Sequence, residues 1–314
     1  MQFNLIRHLF LFICLLISNF SISQSLDSQR LLNHLEFLSS DALAGRKPLS
    51  DGNMEARKYI LNEFTQLENV QALYPDFIQR FSFTTRNQTN YEDAANLVAF
   101  IPGSNSRKVI VVTAHYDHVG IGRPNAAGDS IYNGADDNAS GTAALLMLAD
   151  YFSRNRPQHS MMFVALDAEE LGLRGAKALV ADFPYPLEQI LLNVNMDMIG
   201  RSEKNELYAS GTHFYPSLKP ILEKAATGSA AILRFGHDVP GTGREDWTNQ
   251  SDQGAFFEKK VPHLYFGVED HEDYHQPSDE FKNIHRTFYS NAANLILKCI
   301  LALDAELTEE VPAK

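Results

Sequence analysis

The stretch Val109-Ile-Val-Val-Thr-Ala-His115-Tyr-Asp117-His118 decides how the chain folds. Its first six residues offer no polar face, the pattern of a strand covered on both sides of a sheet. The run then ends on a histidine and an acid. Similar runs occupy residues 161–166, 190–196 and 263–267. Helical segments at 142–152 and 171–180 lie between them, and another at 288–303 closes the chain. Strands alternating with helices imply a layered α/β/α domain, here a three-layer α/β/α sandwich around a mostly parallel mixed central sheet.

Upstream, residues 26–67 read as two helices around a turn. Leu31, Leu32, Leu35 and Leu38 recur at helical spacing, and Asp41-Ala-Leu-Ala-Gly-Arg-Lys-Pro48 interrupts them. Residues 77–85 and 95–101 read as strands. Residues 202–260 are less regular and suggest a rim or lid. There are no repeats and no low-complexity linkers, so residues 24–314 form one domain with a helical prelude over 24–70.

Residues 1–23 have the form of a signal peptide. Arg7 supplies the positive start, 9–17 are apolar but short for a bilayer, and small polar residues come next. The expected destination is secreted or periplasmic, with no stable membrane insertion after cleavage. Cleavage would remove Cys14 and leave Cys299 in an apolar helix as a core residue, without an intramolecular disulfide. A net charge of -12 argues against nucleic acid.

The runs end in chemistry. His115 closes the first, Glu169 and Glu170 follow the second, and Asp197 follows the third. Asp136 and Asp137 lie in Asn133-Gly-Ala-Asp-Asp-Asn-Ala-Ser-Gly141, before a helix for which Ser140 is the expected N-cap. His275 follows Tyr274 in an acidic loop. Open α/β sheets place ligands at the carboxyl ends of their strands. Asp197 is telling, because a charge after a buried strand needs a partner or a metal. Asp117 is placed to orient the His115 ring. Oxygen and imidazole ligands without thiolate suit zinc, and also cobalt or manganese. Two histidines and three carboxylates suffice for two ions, with Glu169 free to move a proton and Tyr274 to donate to an oxyanion. Spacing alone leaves His118, His271 and Asp136 as competing ligands.

This set of motifs resembles the M28 zinc peptidases, bacterial leucyl-type aminopeptidases among them, over about residues 95–303. The resemblance implies that His115 and Asp197 hold one Zn2+, that Glu170 and His275 hold another, and that Asp137 bridges them. It makes Glu169 the general base, Asp117 the acid behind His115, and Tyr274 a stabiliser of the tetrahedral intermediate. It implies peptide substrates with a free N-terminus. Leu35-Glu-Phe-Leu-Ser-Ser-Asp-Ala-Leu-Ala-Gly-Arg46 also looks like the prelude of bacterial members. One departure is visible: Ser251-Asp252-Gln253 stands where many relatives read Ser-Asp-His, which bears on pocket shape. Two other readings share this scaffold, a glutaminyl cyclase using one zinc and a non-catalytic binding module. Retention of all five ligands and Glu169 favours the hydrolase.

Overall fold

The computed structural model describes residues 25–104, 107–308 and 310–314, so the expected signal peptide lies outside the described residues. The prelude forms α1 (Ser28–Leu38) and α2 (Asp51–Thr65). Asp27 caps α1 by accepting the N–H groups of Gln29 and Arg30, and Ser50 caps α2 through Asn53. Strands β1 (Ile78–Thr84), β2 (Asn90–Ile101) and β3 (Val109–His115) follow, then a small hairpin of β4 (Gly120–Ile121) and β5 (Ile131–Tyr132). The remainder runs α3 (Gly141–Arg154), β6 (Ser160–Leu166), α4 (Arg174–Ala181), β7 (Ile190–Met196), β8 (Glu206–Ser210), α5 (Leu218–Ala225), β9 (Ile232–Phe235), α6 (Gln253–Glu258), β10 (His263–Gly267) and α7 (Arg286–Glu306).

The large sheet has the order β1-β2-β6-β3-β7-β10-β8-β9. Its four central strands, β6, β3, β7 and β10, run parallel, and antiparallel pairings lie to either side of them. All four therefore end on one edge, which is where the chain places its acids and histidines. Alternate residues of the buried strands feed two cores. Ile110, Val112 and Ala114 join the core under α1, α3 and α7, while Val109 and Val111 join that under α4 and α6. Burying each such aliphatic side chain contributes roughly 1.5–3 kcal/mol.

Three details differ from the sequence reading. Residues 202–260 do not stand apart from the sheet: they supply β8 and β9 to it, and only the loop around Trp247 reaches the site. The helix expected from residue 171 starts at Arg174, because the chain is still turning after Glu170. Ser140 does not cap α3. Asn138 Oδ1 accepts the Gly141 N–H at 2.9 Å instead, and the Ser140 hydroxyl donates to the Asp136 carbonyl at 2.7 Å. Cys299 is buried in α7, and burial pushes its thiol up to about 12. Among the described residues no helix is long and apolar enough to cross a membrane.

Candidate active site

Side chains adjacent in a strand point to opposite faces, so bringing neighbours into one site requires a change of backbone direction. Ala168 (φ 59°), Met198 (φ 56°) and His275 (φ 53°) make that change in the left-handed region. It costs a residue with a Cβ about 1–2 kcal/mol. Ala168 directly precedes Glu169-Glu170 and Met198 directly follows Asp197.

The five residues singled out in the sequence come together. His115 Nε2 lies 3.3 Å from Asp137 Oδ1 and 3.3 Å from Asp197 Oδ1. His275 Nε2 lies 3.0 Å from Asp137 Oδ2 and 3.2 Å from Glu170 Oε1. The two oxygens of Asp137 thus face two different groups of ligands. His118, which spacing had left among the alternatives, belongs to the second group: its Nδ1 is 2.7 Å from Glu170 Oε1 and 3.7 Å from Asp137 Oδ2. His271 and Asp136 pair with each other at 3.0 Å, and Asp136 also accepts the Gly200 N–H at 2.6 Å.

The donor set fits a metal. His115 Nδ1–H donates to the Asp117 carbonyl at 3.1 Å, which leaves Nε2 with its lone pair toward two carboxylates. His115 Nε2, both ring nitrogens of His118, Glu170 Oε1 and Asp197 Oδ1 are buried without a hydrogen-bond partner. Buried polar atoms are rarely left so, and cations among them would satisfy the ligating atoms of both groups. His118, Asp137, Glu170 and His275 can converge on one ion, and His115, Asp137 and Asp197 on another.

The loops are held from behind. Asp117 stands behind His115, yet its carboxylate is 3.7 Å from the ring. It turns instead to the next strand end, accepting the Glu169 N–H at 3.0 Å and the Glu170 N–H at 3.4 Å. Asp279 does the same for the Asp137 loop, accepting the N–H groups of Asp136 and Asp137. Gly134 (φ 58°) is needed there, since a Cβ would come within 2.1 Å of the Asp137 carbonyl oxygen. Burial, opposed by His115 and reinforced by Asp252, Glu170 and Asp197, holds the Glu169 carboxyl well above the usual range. Burial also acts to raise Glu170, but the imidazoles of His118 and His275 outweigh it and bring the group to about 2.

A small pocket opens over these groups, walled by Trp247, Tyr265, Met198 and Tyr274, with Glu169 and Asp270 at its sides. Gln253, at the position where the sequence departs from many relatives, supports that wall. Its Nε2 donates to the Trp247 carbonyl at 2.7 Å and its Oε1 accepts from Asn195 at 3.0 Å. Beside it Asp252 is buried with neither oxygen hydrogen-bonded, and burial pushes it up to about 7. Arg201 is engaged with Asp273 and lines a separate cleft.

Residues 96–300 match the peptidase family M28. The chain belongs to this family. M28 relatives include aminopeptidase YwaD of Bacillus subtilis, 27% identical over 61% of this chain and 40% of its own length. A vacuolar membrane protease of Schizosaccharomyces pombe is 28% identical over 60% of this chain and 22% of its own length. The matched segment thus spans less than half of either relative. In fold, this M28 chain superimposes on LapB from Legionella pneumophila with a TM-score of 0.68, at 18% identity over 88% of this chain and 72% of that one. A glutaminyl cyclase of Bacteroides thetaiotaomicron gives a TM-score of 0.69 at 16% identity, over 88% and 98% of the respective chains. The α/β/α architecture of the M28 chain is that of zinc aminopeptidase structures.

Proposed function

We propose that this chain is a two-zinc aminopeptidase. His115 and Asp197 would hold one ion and Glu170 and His275 the other, with Asp137 facing both groups and His118 adding a donor beside Glu170. The observation that carries this is the division of Asp137, Oδ1 toward His115 and Oδ2 toward His275, each histidine also facing a second carboxylate, Asp197 and Glu170 respectively. Zinc bound there would supply Lewis acidity, polarising a scissile carbonyl and lowering the pKa of an attacking water to roughly 7.

The chain's own residues do the rest. Glu170, held low, is a carboxylate at any working pH. The bond from His115 Nδ1–H to the Asp117 carbonyl fixes the tautomer that presents Nε2. Glu169, at the pocket wall, accepts the proton of the attacking water and returns it to the leaving amine. Tyr274 keeps its proton, because burial raises its hydroxyl, and donates to the developing oxyanion.

The pocket supports cleavage from the amino end. It presents Glu169 and Asp270 and, among the described residues, has no lysine or arginine in its wall. Carboxylates bind a free α-ammonium by charge-assisted hydrogen bonds, whereas a substrate carboxylate needs a cation. Acetylating the N-terminus of a short peptide should cut kcat/KM sharply, and amidating its C-terminus should change little. Equal turnover of free and acetylated peptides would remove the aminopeptidase assignment.

A one-zinc glutaminyl cyclase is the competing reading, since the fold likeness extends to such enzymes. The group His115, Asp137 and Asp197 favours a second ion. Close to two zinc equivalents per chain supports the peptidase, and a single equivalent under saturating zinc supports the cyclase. The positive start at Arg7 and the apolar residues 9–17 further suggest export to the periplasm or beyond. A mature N-terminus near residue 24 would support that reading.

A further inference from the structure

Arg46 lies in the turn between α1 and α2, fifty residues before the segment that matches the family. It is 1% exposed, one of the largest side chains wholly enclosed by the protein. Such a guanidinium needs partners for its five N–H donors. Arg46 makes four such bonds, all to main-chain carbonyls. Nε donates to Tyr116 O at 2.8 Å. Nη1 donates to Leu38 O and Asn133 O, both at 2.5 Å, and Nη2 to Gly134 O at 3.0 Å. In return the Arg46 carbonyl accepts the His118 N–H at 3.4 Å.

These acceptors are not scattered. Tyr116 follows His115 and precedes Asp117 and His118. Asn133 and Gly134 open the loop that carries Asp137. Leu38 is the last residue of α1. One rigid planar fork therefore ties the His115 loop to the Asp137 loop, and both to the prelude. The approach is close enough that a Cβ on Gly45 would lie 2.4 Å from the Tyr132 carbonyl oxygen.

We propose that Arg46 is a positioning residue for the metal centre: it sets the distance between His115 and Asp137, so the helical prelude is a working part of the site. This rests on the two-zinc reading above. An ordinary buried arginine that only staples the fold is the alternative. The two differ in whether metal affinity changes when the fold persists.

The test uses the full chain in three variants, Arg46→Ala, Arg46→Lys and Arg30→Ala. Arg30 also docks the prelude, through Asp150 and Glu63, but touches neither ligand loop. Zinc affinity is measured by competition with a chelating dye. Residues that orient ligands typically change affinity 10–100-fold. Arg46→Ala should weaken zinc binding at least about tenfold. Arg46→Lys, which keeps the charge and loses the fork, should fall between it and wild type, and it is the variant to read if Arg46→Ala does not fold. Arg30→Ala should lower the melting temperature while zinc affinity stays within about twofold.

Hydrogen exchange of the metal-free proteins gives a second readout. Arg46→Lys should speed exchange at the amides of residues 116–118 and 134–137 more than across the rest of the domain. Unchanged affinity and unchanged local exchange in Arg46→Lys would overturn the proposal. So would equal zinc loss in Arg30→Ala. Should the wild type bind no zinc, the two-zinc reading fails, and the exchange pattern still decides whether Arg46 fixes the loops.

Discussion

The carboxylate of Asp117 hydrogen-bonds across to the adjacent strand end, holding the N–H of Glu169 at 3.0 Å and that of Glu170 at 3.4 Å. One buried acid thus fixes the turn that presents both the proposed base and a proposed ligand, while its own carbonyl orients His115. Asp117→Asn places an amide that can accept one of those bonds but repels the other. The expected result is zinc affinity lowered about 10–100-fold together with a fall in kcat, read by dye competition and steady-state kinetics. An unchanged affinity would leave Asp117 no role beyond folding.

Glu169 and Glu170 are neighbours with opposite electrostatics, one held high by burial and carboxylates and the other brought low by imidazoles. Glu169→Gln should keep its zinc and lose at least about 10²-fold in kcat. Glu170→Gln should lose zinc as well. Elemental analysis of the two proteins separates the roles, and metal loss in Glu169→Gln would reverse them.

Gln253 links Asn195 of β7 to the carbonyl of Trp247 on the pocket wall. The histidine found in many relatives holds its two ring nitrogens in a different geometry from the donor and acceptor of an amide. Gln253→His should therefore move Trp247 and change KM across a panel of aminoacyl-nitroanilides by several-fold. Zinc content should not change, because Gln253 touches none of the proposed ligands. A panel with unaltered KM values would show that this position does not shape the pocket.

Remote from the site, His159, just before β6, pairs with Asp304 of α7 at 3.0 Å. That hydrogen bond, opposed by burial, raises the imidazole above its ordinary value of about 6.5. Protonation therefore favours the folded state. The stabilisation is present in full below the unfolded pKa and is lost as pH rises through the folded one. The melting-temperature gap between wild type and His159→Gln should be wider at pH 6 than at pH 8.5. A gap independent of pH would mean the pair is held by packing alone.

Much of this was legible in the sequence for a physical reason. Val109 to Ala114 and Ile190 to Met196 are buried on both faces, so their apolar runs mark the strands, and the site begins where each run stops. β8 and β9 were not legible. They are short, and β9 leaves Ile232 and Arg234 exposed, so no continuous run announces them. His118 could not be told from His271 by spacing, since each lies within a few residues of another candidate; only the path of the loop sends one to Glu170 and the other to Asp136. Asn138 displaced Ser140 as the cap of α3 because the Asp137 loop departs from helical geometry just before it. Arg46 bonds only main-chain oxygens, which leave no mark on the sequence at all.

The four central strands deliver their ligands from parts of the chain far apart in sequence, from His115 to His275. An unfolded chain cannot gather them, so an ion that binds this cluster binds the native state alone. Such coupling stabilises by about 2.7 kcal/mol when free ligand stands at a hundred times its dissociation constant. On the two-zinc proposal, the lifetime of this protein would be a function of its surroundings: a zinc-poor medium would shorten it and a zinc-rich one prolong it, so that supply of the metal would govern how much protein persists as well as how fast it works.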